Sequence, residues 1–453
     1  MTRALLLLLA LTPLAGQAQE VAQTNLRFDE NWTVLRGTDA ADDRPGKYVP
    51  LDREGDMYLT LGGEVRARFE GFEGNLWGDS PAPDDGYLWV RAMPHADLHA
   101  GPARVFVQGI AGYARGVGAG KGPADETGID LLQGFGDVRI AWGDDAAVTL
   151  RGGRELIALG SERLVGIRYG PNIPQAFDGG HIIAEHGPLH IDAFHLRPVA
   201  IGGSDFDDRT SKTRRLDGVY ATFAAAKGMG LDAYWLAYAN DEARFGGRTA
   251  RETRDSYGLR FFGSHGNLDW NWEAMLQRGR FGGDRIRAWS IATETGWRFG
   301  DAPLKPHARL RANIASGDRD PNDARLGTFN ALFPKGKYFG ELSPIGPRNI
   351  MNIQPSVDFD LGSGVTVELL AASFWRQRRG DGIYDVPGGL IRPAGASVAH
   401  HIGDQVEVSA GWQASAILSF AVSLSAFRPG AFIKDTGRAR TIRMLGAEVM
   451  LKY

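Results

Sequence analysis

Leu445-Gly446-Ala447-Glu448-Val449-Met450-Leu451-Lys452-Tyr453 closes the chain and repeats with a period of two. Leu445, Ala447, Val449, Leu451 and Tyr453 fall on one side; Gly446, Glu448, Met450 and Lys452 fall on the other. Side chains alternate across an extended strand, so the segment presents one apolar and one polar face. An edge strand of a soluble β-sandwich would look the same. The rest of the chain has to decide.

Moving outward, the same period recurs. Leu59, Leu61, Val65, Ala67 and Phe69 alternate with Thr60, Glu64, Arg66, Arg68 and Glu70. Val90, Ala92, Pro94, Ala96 and Leu98 alternate with Arg91, His95 and Asp97. Val138, Ile140 and Trp142 oppose Asp137 and Arg139, and Val148 and Leu150 oppose Thr149 and Arg151. Later, Ala308, Leu310, Ala312 and Ile314 oppose Arg309, Arg311 and Asn313. Val365, Val367, Leu369 and Trp375 oppose Thr366, Glu368 and Arg376. The count comes to about 18 strands, an even number within the range of bacterial transmembrane barrels.

The connections sharpen this reading. Short turns fall at 143–145, 263–267, 362–364 and 414–416, and long loops at 72–86, 114–128, 156–176, 316–347 and 377–400. Short turns at one end and long loops at the other are the outer-membrane pattern. Trp142, Trp270, Trp297, Trp375, Trp412 and Tyr453 lie near strand ends, where amphipathic rings form interfacial belts. A terminal strand with a final aromatic also resembles the C-terminal signal of Gram-negative outer-membrane barrels. The expected fold is therefore an all-β, closed antiparallel transmembrane barrel spanning 56–453.

Upstream, residues 1–18 read as a secretory signal peptide: Arg3, an apolar run over 4–11, then Gly16-Gln17-Ala18. Residues 19–55 then read as a periplasmic segment leading into the barrel. No apolar stretch reaches the length of a membrane helix. The chain has 0 cysteines, which removes disulfides, thiolate nucleophiles and cysteine metal sites. With a net charge of -3, no nucleic-acid partner is implied. No cofactor and no metal are expected.

Three groups of segments resemble the alginate-export family of outer-membrane porins. The first is Gly153-Arg154-Glu155-Leu156 with Ser161-Glu162-Arg163-Leu164-Val165, Gly170-Pro171-Asn172 and Phe177-Asp178-Gly179. The second is Gly327-Thr328-Phe329-Asn330-Ala331-Leu332-Phe333-Pro334 with Lys337-Tyr338-Phe339-Gly340. The third joins Asn352-Ile353-Gln354-Pro355, Phe374-Trp375-Arg376-Gln377 and Leu390-Ile391-Arg392-Pro393. The resemblance spans roughly 56–453. It implies a monomeric barrel in the Gram-negative outer membrane whose arginine-lined lumen passes an anionic polysaccharide. Parity places Arg66, Arg68, Arg91, Arg139, Arg151, Arg309, Arg311 and Arg376 inward as candidate path residues. Guanidinium forks bind carboxylates bidentately and keep their charge, which suits uronate groups. Lumenal acids such as Glu64, Glu70, Asp137, Glu294, Asp358 and Glu368 could equally pair with these arginines and brace the wall.

Family members that export alginate close the pore with a long periplasmic loop as well as an extracellular one. Every periplasmic turn here reads short, so occlusion is expected only from loops such as 156–176 or 316–347. That favours diffusion of a smaller anionic solute over polymer export. The expected partners are the lipid bilayer, that solute, and the barrel-assembly machinery through the strand ending at Tyr453.

Other readings fall away. Gly116 to Gly122 lacks the Walker spacing and the serine or threonine that would follow it. Asp318, Asp320 and Asp323 read as a solvated loop cluster before a calcium site. A barrel-embedded lipase or protease would need a serine–histidine pair, yet no nucleophile elbow accompanies His181, His190, His195, His400 or His401. A gated receptor with a large plug domain would need more chain than 19–55 before the first strand.

Overall fold

The computed structural model describes Val21, 23–38, 44–117 and 121–453. The expected signal peptide, 1–18, and the centre of the glycine-rich loop, 118–120, lie outside the described residues.

The first half of the wall comprises β1 (Met57–Glu73), β2 (Gly86–Ala100), β3 (Ala103–Arg115), β4 (Gly128–Trp142), β5 (Ala146–Leu156), β6 (Ala176–His186), β7 (Leu189–Ala200), β8 (Arg214–Ala226) and β9 (Met229–Phe245). The second comprises β10 (Arg248–His265), β11 (Leu268–Phe281), β12 (Asp284–Arg298), β13 (His307–Ala315), β14 (Ile350–Gly362), β15 (Val365–Arg376), β16 (His401–Gln413), β17 (Leu418–Pro429) and β18 (Ile442–Lys452). Each pairs antiparallel with its chain neighbours, and β18 returns to β1 in register from Glu64↔Lys452 to Glu73↔Arg443. Gly63 and Tyr453 exchange backbone hydrogen bonds of 2.7 and 2.9 Å, completing the closure. A closed wall leaves no unpaired edge, the condition for a sheet in lipid.

The period-two alternation fixes what each face meets. Val65, Val105, Leu259, Leu276 and Leu424 point out and are exposed, while Arg66, Arg91, Phe106 and Glu273 point in and are buried. Pro94 is tolerated in β2 because its pairing with β3 skips from Ala92↔Ala111 to His95↔Gln108. Trp142, Trp297 and Trp412 are exposed at the short-turn ends of β4, β12 and β16, as an interfacial girdle requires. Tyr453 differs: its ring takes the Lys47 ammonium 4.6 Å from its centroid, and its hydroxyl donates to the Pro45 carbonyl. The last aromatic ties the closing seam to the N-terminal segment.

Ala447 lies mid-strand on the outward face, opposite Phe69 and Val422. Ala447→Arg is expected to cost about 2–4 kcal/mol, the penalty for a cation near the bilayer midplane. Urea unfolding from vesicles measures it; an unchanged midpoint would mean that this face does not meet lipid.

Candidate functional site

The lumen is filled from the long-loop end. Loops 157–175 and 316–349 fold inward and meet at a parallel bridge between Val165 and Phe333. Around it, the Phe333 N–H donates to Leu164 O at 2.8 Å, Gly166 N–H to Phe333 O at 2.9 Å, and Lys335 N–H to Glu162 O at 2.9 Å. Phe177, Tyr238, Phe329, Phe333 and Phe339 are buried in the same cluster, so these loops are a packed core inside the wall.

The inward-pointing arginines do different jobs. Arg91 is fully buried, pairs with Glu64 at 2.7 Å, and donates to the carbonyls of Tyr169, Pro171 and Asn172. Arg66 donates to Tyr169, Gly170 and Pro171. These two anchor loop 157–175. Arg68 is held among Glu70 at 2.6 Å, Glu448 at 3.0 Å and Glu341. Arg151 pairs with Asp137 at 2.9 Å and Glu155 at 3.2 Å, and Arg139 pairs with Glu185. Arg376 is spent on carbonyls of loop 377–400, including Ala399 at 2.6 Å, and lies 3.8 Å from the Phe432 ring. Of the eight candidates, Arg309, Arg311 and Arg68 border the open part of the lumen beside loop 316–349.

Two neighbouring cavities lie there, lined by described residues. One, of 210 Å³, is lined by Arg309, Arg311, Lys335 and Lys337 with Glu294 and Glu368. The other, of 310 Å³, carries Arg68 with Glu341, Asp358, Glu368 and Glu448. Four cations face two carboxylates in the first; one cation faces four carboxylates in the second. Glu368 is shared, so the two are neighbours and the open lumen has a basic side and an acidic side. Most of these charges are paired: Arg311 with Glu294 at 2.6 Å, Arg309 with Asp358 at 2.5 Å and Glu368 at 3.0 Å, Lys337 with Glu341 at 2.6 Å. Lys335 has no carboxylate partner among the described residues. Burial, with Arg311 and Arg163 nearby, pulls its ammonium down to about 8. Lys335 and Lys337 sit on an irregular loop, where strand parity gives no signal. Only the family-like segment around Phe333 hints at them.

The short-turn end is covered too, contrary to the expectation that only extracellular loops could occlude. Phe28 stacks edge-on against Phe106 and Phe135 of the inner wall, with centroids 5.7 and 5.2 Å apart. Arg104 donates to Phe28 O at 2.5 Å, and Arg27 to the Tyr453 carbonyl at 3.0 Å. Trp32 and Leu35 are buried alongside. Gly62 makes room: a Cβ there would lie 2.6 Å from Lys47 Nζ, His95 Cε1 and Tyr453 O. The segment buries its own apolar side chains in the barrel, which a reading by strand period cannot register.

His181, weighed as a catalytic candidate, sits between Glu155 and Asp192 with no serine partner among the described residues. Asp318, Asp320 and Asp323 accept backbone N–H groups of their own loop, from Gly327, Asn322 and Arg325.

An 18-stranded wall with a charged, loop-narrowed lumen matches a known family. The sequence profile described as alginate export fits residues 57–446. This chain belongs to that family. As such it is an outer-membrane β-barrel channel of the porin type. No curated protein sequence matches it. Among solved structures it is similar to Acinetobacter baumannii OccAB1, with a TM-score of 0.61 at 12% identity, covering 90% of this chain and 99% of that one. It is also similar to Pseudomonas aeruginosa OccK2 (OpdF) in complex with glucuronate, with a TM-score of 0.59 at 15% identity, covering 87% and 97%.

Proposed function

We propose that the channel passes small sugar acids of the uronate class by passive diffusion, as a monomer without chemistry of its own. The observation that carries this is Lys335, an unpartnered cation beside Arg311 and Arg309 in the basic cavity. A carboxylate can meet it without displacing an existing ion pair. The acidic side suits the remainder of such a solute, since Glu341, Asp358 and Glu448 accept hydrogen bonds from hydroxyls. A polyuronate would bring further carboxylates against those same acids. Cavities of 210 and 310 Å³ also sit at or below the small end of ordinary ligand sites, which favours a monosaccharide over a hydrated polymer. The glucuronate bound to OccK2 is a solute of this class, found in a related fold. Delivery to the membrane would run through the barrel-assembly machinery, with the strand ending at Tyr453 as its signal.

The test is liposome swelling with glucuronate, glucose and uronate oligomers of graded length. Glucuronate should enter fastest, and rates should fall steeply beyond the monomer. Equal rates for glucose, or undiminished entry of long oligomers, would sink the proposal. A pH series adds a second check. Lys335 is charged below about 8 and neutral above it, so anion preference in bilayers should decline from pH 7 to pH 9. Lys335→Gln should give the weaker, flatter profile throughout. A wild-type profile that is flat across this window would remove Lys335 from the path.

A further inference from the structure

The outside of the wall carries a charge cluster that transport does not use. On β11, Arg278 and Arg280 share the outward face with Leu276; on β12, Arg285 and Arg287 share it with Trp289. All four are exposed. Their register sets Arg278 directly opposite Arg287 and Arg280 directly opposite Arg285, and Arg325 pairs in parallel beside Arg285. Like charges directly opposite across a sheet repel. Neighbouring arginines have acidic partners, Arg248 with Asp284 at 2.7 Å and Arg251 with Asp241 at 3.2 Å. These five have none among the described residues. The acids that come near are occupied: Asp255, opposite Arg278, accepts the Trp235 indole N–H at 3.0 Å, and Asp323 caps Arg325 N–H.

Immediately below the cluster, the same strands form an apolar groove of 520 Å³. The small side chains of Ala233 and Ala274 make its floor, and Tyr257, Leu259, Leu276 and Trp289 flank it. Arg278 is one outward step from Leu276, and Arg287 one outward step from Trp289, about 7 Å along each strand. The arginines stand at the end of the barrel that carries the long loops. There β9–β10 and β11–β12 are joined only by 246–247 and 282–283, so no long connection between these strands overhangs the cluster. A second outward groove, of 770 Å³, lacks this feature: the one arginine on it, Arg443, pairs with Glu73 at 2.6 Å.

We propose that this surface binds the phosphorylated glycolipid of the outer leaflet, with phosphate on Arg278, Arg280, Arg285 and Arg287 and an acyl chain in the groove beneath. Guanidinium forks match phosphate bidentately, and one dianionic group between facing arginines removes their repulsion. An amphiphile satisfies both halves of the site; a free anion would fill only one.

Native mass spectrometry of the refolded full chain in micelles tests this, using bisphosphorylated lipid A, its dephosphorylated form and inorganic phosphate as probes. One bisphosphorylated molecule should be retained, with at least tenfold weaker retention of the dephosphorylated form and no competition from inorganic phosphate. The fourfold variant R278Q/R280Q/R285Q/R287Q should lose binding at least tenfold while keeping single-channel conductance, because these side chains face away from the lumen. Ala274→Phe, which fills the groove and keeps every arginine, should weaken binding as well. Wild-type retention by the fourfold variant, or equal retention of dephosphorylated lipid, would overturn the proposal. Displacement by inorganic phosphate would overturn it too, marking a free-anion site.

Discussion

Arg91→Ala is expected to destabilise the barrel by about 3 kcal/mol and to loosen loop 157–175 around residues 169–172. Arg91 and Glu64 are both withdrawn from solvent, and removing one member of such a pair strands the other, at about 3–5 kcal/mol. The low end applies because Glu64 keeps the Tyr169 hydroxyl and has Lys452 at 3.9 Å. The loop loses more than the wall does. Arg91 supplies three of the hydrogen bonds that hold the 169–172 backbone, and its guanidinium lies 4.3 Å from the Tyr169 ring centroid. Arg66, the Tyr169–Glu64 contact and the Asn172 hydrogen bonds to Ala124, Tyr113 and Asp125 would remain, a weaker set without a buried guanidinium at its centre. Unfolding in urea should therefore show the loss of stability, and planar-bilayer recordings should show larger, noisier currents. The double variant Glu64→Leu/Arg91→Met separates the two effects. It removes both members of the pair, so no carboxylate is stranded, and stability should largely return while the noisy current persists. If the double variant were as unstable as the single one, the burden would lie in the loop contacts and not in the stranded carboxylate.

The wall was legible in the sequence because a strand in a barrel must declare its two environments residue by residue. Leu445 to Lys452, Leu59 to Phe69 and Ala308 to Ile314 all do so, and their inward and outward sets hold in the structure. What fills the lumen obeys no such period. Loop 157–175 is ordered by carbonyls that accept from Arg66 and Arg91, and a carbonyl leaves no mark in a sequence. Parity therefore named both arginines as inward but could not say that they hold a loop. Arg376 was named by the same rule, yet the loop above it absorbs its donors. Lys335 was missed for the complementary reason: it reaches the path from a loop whose side chains have no alternation to read. In sequence, 19–55 reads only as a lead-in to the barrel. Phe28, Trp32 and Leu35 are too few and too irregular to reveal that they pack inside.

These distinctions bear on selectivity. Arg66, Arg91 and Arg376 are committed to backbone, and Arg68 sits among carboxylates on the acidic side, so the field on the basic side of the open lumen comes from Arg309, Arg311, Lys335 and Lys337 against Glu294 and Glu368. Reversing two of them should be enough to reverse it. Lys335→Glu with Arg311→Glu would leave two cations against four carboxylates around the 210 Å³ cavity. A unit charge about 8 Å from a solute carboxylate contributes about 2 kcal/mol at an effective dielectric constant of about 20, so changing its sign shifts the energy by about 4 kcal/mol. Screening over roughly one Debye length at 0.15 M salt brings this to about 1.5 kcal/mol for each residue. That corresponds to about tenfold per substitution. The reversal potential in asymmetric KCl should accordingly change sign in the double variant, and glucuronate entry into liposomes should fall at least tenfold. Raising the salt to 1 M, where the Debye length is about 3 Å, should shrink both effects. Glucose entry serves as the control, since a neutral solute feels the pore's width and not its field. A double variant that kept its anion preference would place the selective charges elsewhere in the lumen.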